Sequence, residues 1–236
     1  MSDILTMMWK ESKDLLFQGG WRASIRPLFV IAIMGVYLPL QLGALWVELT
    51  PLAMILQLWI PFFVIISFIG DAIAGERERH TLETLLASRM PDRAILLGKV
   101  VTTVLYAWGM GILSILLGLV LVDLFRTQGN WVFYPLDLFV DAIVLILLAS
   151  ILAASAGVLV SLKVSTVRQA QQILSIGTIV LVFGGTFVLR ALPASFISSL
   201  SAAQFWLLVM AVIAVLDAIL LGLSLVSFQR SRLILS

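Results

Sequence analysis

The chain contains no cysteine and only one histidine, His80, among its 236 residues. Without cysteine, the sequence excludes disulfides, thiolate metal sites and a cysteine nucleophile, and one histidine leaves little room for a zinc centre. Charged residues are scarce as well, because they make up 12% of the chain against about 25% of an average soluble domain. We therefore expect no metal site in this chain.

Apolar residues take the place of the missing charge. They make up 61% of the sequence, whereas an average soluble domain has about 45–50%. About 20 apolar residues span the hydrocarbon core of a bilayer, and six segments are long and apolar enough to do so. They lie near residues 27–47, 51–73, 100–122, 140–162, 170–189 and 205–228. The sequence thus predicts an all-α, polytopic membrane protein with six transmembrane helices, forming a single domain over residues 1–236.

The distribution of lysine and arginine predicts the orientation of these spans. With the N-terminus in the cytoplasm, thirteen basic residues lie on the cytoplasmic side and only Arg126 and Arg190 lie on the other. The connecting loops are short, so the positive-inside rule applies. We expect both termini to be cytoplasmic in a cell membrane. The net charge of +2 is then explained by topology. The sequence has no basic face interleaved with aromatic residues, which is the pattern that would indicate nucleic-acid binding.

The N-terminal segment has the pattern of an amphipathic helix. Its apolar residues recur at helical spacing, and charged residues lie between them. The apolar set is Ile4, Leu5, Met8, Trp9, Leu15 and Leu16. This pattern predicts a helix near residues 3–18 that lies in the plane of the membrane interface, with Trp9 at the depth of the lipid headgroups.

The densest run of charge lies between the second and third predicted spans, over residues 75–99. Glu76, His80 and Glu83 recur at helical spacing and share one face, while leucines form another. Pro91 disfavours helix at the residue before it, and Asp92 is well placed to begin the next helix. A lone helix this short is marginal in water, so it needs a partner surface.

This loop resembles the cytoplasmic coupling loop of type-2 ATP-binding-cassette (ABC) exporter permeases. The family pattern of Glu, Arg, Thr and Glu is matched at Glu76, Arg79, Thr81 and Glu83, although His80 stands where a glycine usually precedes the threonine. A basic, amide-rich stretch from 161 to 172 is similar to the second cytoplasmic turn of these permeases. The resemblance implies that a coupling helix docks on a nucleotide-binding subunit through Glu76, Arg77, Glu78, Arg79, His80, Thr81, Glu83 and Thr84.

The resemblance also implies the function and the partners. Such a chain is the permease subunit of an exporter, pairs with a second copy or a similar permease, and binds an ABC ATPase that carries the ATP and Mg²⁺. Gly98-Lys99 lacks the remaining residues of a phosphate-binding loop, so no nucleotide site is present in this sequence and no cofactor is expected in it. The chain is accordingly not expected to be an enzyme by itself. Its substrate cannot be read from the sequence.

Polar residues within the predicted spans leave two alternatives open. Candidates for a pathway or for intramembrane polar contacts are Gln57, Asp71, Ser175 and Asp217. Asp217 lies near the middle of the sixth predicted span, where a charge is costly and normally faces protein or water. One alternative is therefore a proton- or ion-coupled secondary carrier that uses Asp217. Another is a membrane scaffold that recruits a cytoplasmic ATPase without transporting anything.

Overall fold

Every regular element in the described part of the computed structural model is a helix. The structure describes residues 2–13, 28–48, 51–70, 74–78, 91–125, 131–191, 193 and 201–228. In chain order, the helices are α1 (Ser2–Lys13), α2 (Leu28–Leu42), α3 (Ala44–Val47), α4 (Pro51–Gly70), α5 (Glu76–Glu78), α6 (Asp92–Phe125), α7 (Leu136–Lys163), α8 (Val167–Ala191) and α9 (Ala202–Ser227). The predicted all-α class is confirmed.

Three of the described helices are long and apolar enough to cross a membrane: α6, α7, and Gln204–Ser227 within α9. Two shorter apolar stretches, Leu28–Leu42 and Ala53–Ile69, lie in α2 and α4. Helix α8 covers the fifth predicted span but does not reach the same hydropathy over its described residues. The chain is therefore embedded in a membrane, whereas the count of six spans stays a prediction.

The first predicted span, near residues 27–47, is not one continuous helix. Helix α2 contains a π-helical stretch at Ala32–Tyr37 and ends at Leu42, after which Gly43 has a φ of 56°. Only glycine adopts such a backbone readily, so the chain turns here before the short helix α3. The interruption was missed because a single glycine in an apolar run is compatible with a helix.

Helix α7 forms the centre of the bundle and contacts α4, α6, α8 and α9. Its buried face is rich in small residues, which let neighbouring helices approach closely. They are Ala142, Ala149, Ala153, Ala154, Ser155 and Gly157. The outward faces of α8 and α9 instead expose large apolar side chains such as Phe187 and Val215. This arrangement suits a bundle whose outer solvent is hydrocarbon.

Contacts among the helix ends place α1 and α5 at one end of the bundle. Ser161 near the end of α7 donates a hydrogen bond to the carbonyl of Ile69 near the end of α4, at 3.3 Å. At the same end, Glu78 of α5 reaches the start of α8, and α1 packs against the first part of α6. The charged segments therefore gather on one side of the membrane-embedded bundle.

Candidate functional site

Lys99 of α6 is the centre of a buried group of charges at this end of the bundle. Its side chain is only 2% exposed, and its Nζ lies 2.7 Å from Oε1 of Glu11 in α1 and 2.9 Å from Oε1 of Glu76 in α5. Lys10 adds a longer ion pair to Glu76 at 3.8 Å. We call Glu11, Glu76 and Lys99 the charged junction. It joins three segments of the chain, since Glu11 is 88 residues and Glu76 is 23 residues from Lys99 in sequence.

The electrostatics of the charged junction favour a fixed geometry. A buried ammonium loses its hydration, and this cost is recovered only when short, well-aligned hydrogen bonds replace the water. The ammonium of Lys99 donates a hydrogen bond to one oxygen of each carboxylate, and these charge-assisted bonds replace part of its lost hydration. Removing Lys99 takes away the cation that both carboxylates share. The positions of α1 and α5 relative to α6 are therefore coupled through one side chain.

The local sequence explains how α1 comes so close to Lys99. Met7 and Glu11 lie four residues apart and thus on the same face of α1, and Met7 is fully buried. A β-carbon at Gly98 would lie 2.6 Å from the Cβ of Met7, which is closer than side chains allow. Gly98 therefore permits the contact, and its neighbour Lys99 provides the ion pair. Together they form the docking position for α1.

Helix α6 itself begins where the sequence predicts. The carbonyl of Pro91 accepts hydrogen bonds from the amides of Ala94 at 2.9 Å and Ile95 at 3.2 Å, and Asp92 supplies a negative charge in the first turn. This charge is favourable at a helix N-terminus because the helix dipole is positive there. The prediction that Asp92 begins this helix is confirmed.

Glu78 extends the contacts of the polar segment to a fourth helix. Its Oε2 accepts a hydrogen bond from the backbone amide of Val167, the first residue of α8, at 3.3 Å. Thr166 caps the same helix, because its hydroxyl oxygen accepts from the amide of Gln169 at 3.3 Å. Helix α5 therefore contacts α6 through Glu76 and α8 through Glu78. The side chain of Arg77 between them is not described.

Only part of the predicted coupling set falls on described residues. Glu76, Arg77 and Glu78 form α5, whereas Arg79, His80, Thr81, Glu83 and Thr84 lie outside the described residues. The pairing of Glu76 with Glu11 and Lys99 is not among the contacts that the sequence predicts. The available signal is a lysine beside a glycine at the start of an apolar span, but positive-inside topology explains such a lysine equally well.

The intramembrane candidates are separate from the charged junction. Gln57 and Asp217 are buried, with 1% and 4% of their surface exposed, and their side-chain polar atoms have no hydrogen-bond partner among the described residues. No hydrogen bond therefore joins them to each other. Ser175 lies on the exposed surface of α8 and donates to the carbonyl of Gln171 at 2.7 Å. Asp71 lies outside the described residues.

Asp217 belongs to the packed face of α9. Trp206, Asp217 and Ser224 are all buried and recur at helical spacing, so they share the side of α9 that packs against α7. Phe228, the residue after α9, is buried as well. Within the described ranges, no three His, Cys, Asp or Glu side chains are grouped closely enough to hold a metal ion.

A helical bundle with apolar outer faces and charged segments at one end is the architecture expected of a membrane-embedded protein. The chain matches the model of the ABC-2 family transporter protein over residues 47–235. This match covers most of the sequence, so the chain belongs to the ABC-2 transporter family. A comparison with curated proteins gives no match.

Proposed function

We propose that this chain is the permease subunit of an ABC exporter. It would move a substrate across the cytoplasmic membrane with ATP hydrolysed by a separate subunit, which would hold the nucleotide and Mg²⁺. Membership of the ABC-2 family supports a transport component that works with an ABC ATPase in general. The charged junction carries the proposal further, because it links the start of the polar loop to the membrane-embedded helices.

In the proposed mechanism, the ATPase binds the loop that follows Glu76. Force applied to this loop reaches α5 first. It then passes to α6 and α1 through Lys99, and to α8 through the hydrogen bond between Glu78 and Val167. These elements would move together as a rigid body when the ATPases close, so that access shifts from the inner to the outer side. Two permease copies, each with cytoplasmic termini, would enclose the path between them.

The docking step can be tested by purifying the tagged full-length chain from its native membrane and identifying co-purified proteins by mass spectrometry. We expect an ABC ATPase in the unchanged chain. Glu83→Arg should reduce recovery of the ATPase strongly, because it reverses one charge in the predicted docking set. Glu48→Arg is the matched control, since Glu48 is exposed but lies outside the loop. Equal recovery from the Glu83 variant and the control contradicts docking through this loop.

Transmission can be separated from docking with a second variant. Lys99→Met changes no residue of the predicted docking set but removes the cation that joins α1, α5 and α6. The ATPase should therefore still co-purify. The variant permease should change the rate of ATP hydrolysis by the ATPase less than the unchanged permease does. If hydrolysis in the complex is identical with and without Lys99, the charged junction does not transmit force.

Asp217 supports a second candidate function, the proton- or ion-coupled carrier. Neither of its carboxyl oxygens has a hydrogen-bond partner among the described residues, and an unpartnered carboxyl within a membrane is a candidate for ion binding. The carrier predicts proton or cation flux in liposomes that contain this chain alone, and loss of that flux in Asp217→Asn. The exporter predicts no such flux without an ATPase.

A further inference from the structure

A groove lies between α1 and the first membrane-embedded turns of α6. Its volume is about 470 Å³, within the range of roughly 300–1,000 Å³ that is typical of sites for small ligands. We call it the α1–α6 groove. Its lining residues are Leu5, Met8, Trp9, Ser12, Thr102, Leu105 and Tyr106.

The walls of the α1–α6 groove suit hydrocarbon better than a polar ligand. Three of its side chains carry a hydroxyl group, and the hydroxyls of Ser12 and Thr102 already form hydrogen bonds within their own helices. Ser12 donates to the carbonyl of Trp9 at 2.9 Å, and Thr102 donates to the carbonyl of Gly98 at 2.8 Å. The surfaces that remain toward the groove are largely aliphatic and aromatic.

The depth of the groove matches the end of a lipid chain near its headgroup. Thr102, Leu105 and Tyr106 fall within the first seven residues of the predicted third span, which is about 10 Å of helix. The other wall is α1, an amphipathic helix with an exposed tryptophan. Tryptophan is enriched at the boundary between hydrocarbon and headgroups. The groove therefore opens from the headgroup layer into the hydrocarbon.

The charge beside the groove favours an anionic headgroup. Of the lysines in this region, Lys10 and Lys99 form ion pairs with Glu76, and Lys99 also with Glu11. The ammonium of Lys13 instead lies over the ring of Trp9, 4.7 Å from its centroid. It is thus a positive charge at the edge of an apolar groove, where a lipid phosphate would lie.

We propose that the α1–α6 groove binds one acyl chain of an anionic phospholipid, taken from the leaflet on the α1 side, with its phosphate beside Lys13. The lipid then fills the space between α1 and α6 next to the charged junction. This inference rests on the membrane location of the chain and on the groove itself, and it holds whichever substrate is transported.

The test uses the full-length chain in nanodiscs of phosphatidylcholine with a small fraction of phosphatidylglycerol that carries a photoreactive diazirine in its acyl chain. After illumination, mass spectrometry of peptides should show adducts concentrated on the lining residues of the groove. Leu105→Trp should remove this concentration by filling the space. Leu113→Trp is the matched control, because Leu113 is 45% and Leu105 is 46% exposed on the same helix. Adducts that are equally frequent around Leu113 and Leu105 overturn the proposal.

The headgroup preference has its own control. Photoreactive phosphatidylcholine should label the groove about fivefold less than phosphatidylglycerol, since one lysine near the surface attracts an anionic lipid by that factor. Lys13→Gln should abolish the difference, whereas Lys163→Gln at the exposed end of α7 should leave it unchanged. Equal labelling by both lipids in the unchanged chain overturns the anionic preference.

A second measurement remains informative if a tryptophan variant does not fold. A photoreactive benzophenone side chain can be placed at Leu5. Because Leu5 is 64% exposed, the fold should accommodate the larger side chain, which then reports what occupies the groove. A phospholipid adduct supports the proposal. An adduct to a second copy of the chain, or to another protein, overturns it.

Discussion

Lys99 and Asp217 are almost equally buried, but the structure treats their charges in opposite ways. Lys99 has two carboxylates within 2.9 Å, whereas the oxygens of Asp217 have no hydrogen-bond partner in the described part of the chain. The first lies where α1, α5 and α6 meet at one end of the bundle. The second lies midway along α9, on the face that packs against α7.

This difference indicates that Lys99 links helices structurally, whereas Asp217 is a strained or functional group. Two carboxylates hold Lys99, so replacing it removes two short ion pairs, and Lys10, 3.8 Å from Glu76, compensates only part of the remaining negative charge. Asp217 contributes no such interaction among the described residues, so replacing it removes a desolvated group instead. Mutations at equally buried charged positions should therefore have opposite effects on stability.

The largest effect should come from Lys99→Met. Without the ammonium, Glu11 and Glu76 each lose a short ion pair inside the protein, which should lower the free energy of unfolding by about 3–5 kcal/mol. The measurement is reversible unfolding in mixed detergent micelles. Because the loss comes from unbalanced carboxylates, adding Glu11→Gln and Glu76→Gln to the variant should recover most of it.

Lys163→Met is the control for the loss of one positive charge, because Lys163 is exposed at the end of α7. It should change the free energy of unfolding little. Equal losses at Lys99 and Lys163 would show that the charged junction contributes nothing beyond net charge.

A smaller effect is expected from Gly98→Ala, which disturbs the packing of α1 beside the charged junction. The added methyl group would lie 2.6 Å from Met7, so α1 must shift away from α6 at a cost of about 1–3 kcal/mol. Met7→Ala should restore part of the loss when the two changes are combined. Unfolding in micelles measures both, and cross-linking between α1 and α6 should weaken in the single variant.

Gly109→Ala provides the control within the same helix. A β-carbon at Gly109 would meet no atom within 4 Å, so alanine should be neutral or should stabilise α6 by about 0.5–1 kcal/mol. A stability loss at Gly109 as large as that at Gly98 would mean that helix propensity, and not the contact with Met7, decides the outcome.

The all-helical class and the start of α6 could be predicted because both depend on local features. Apolar runs of membrane length and the Pro91-Asp92 pair carry their own signal. The break at Gly43 could not be predicted in the same way. Gly43 has a φ of 56°, but glycine is also tolerated inside a helix, so the residue alone does not mark a break.

The charged junction was predictable only in part. Glu76 was singled out from the polar loop, but its pairing with Lys99 and Glu11 requires α1 to fold back onto α6 across 88 residues of sequence. No periodic pattern encodes such a contact. The buried state of Asp217 was predictable from its apolar surroundings, but the absence of a partner among the described residues was not.

Glu78→Gln should have a modest effect on stability, through the contact of Glu78 with the start of α8. The carboxylate of Glu78 accepts from the first amide of α8, and a neutral amide side chain keeps the hydrogen bond but loses the attraction to the helix dipole. We expect a loss of about 0.5 kcal/mol and faster hydrogen exchange at Val167. Glu48→Gln is the control, since Glu48 is exposed outside the charged segment. Unchanged exchange at Val167 argues against this contact.

The smallest effect on stability, and the sharpest contrast with Lys99, is expected from Asp217→Leu. Leucine removes a buried carboxyl that has no hydrogen bond to lose among the described residues, so the free energy of unfolding should stay the same or rise. Measured beside Lys99→Met under the same conditions, a loss larger than about 1 kcal/mol would reveal a partner for Asp217, because an unsatisfied group left behind costs that much. Unchanged stability together with lost transport would instead show that Asp217 acts in transport, since the carboxyl then contributes to activity without stabilising the fold.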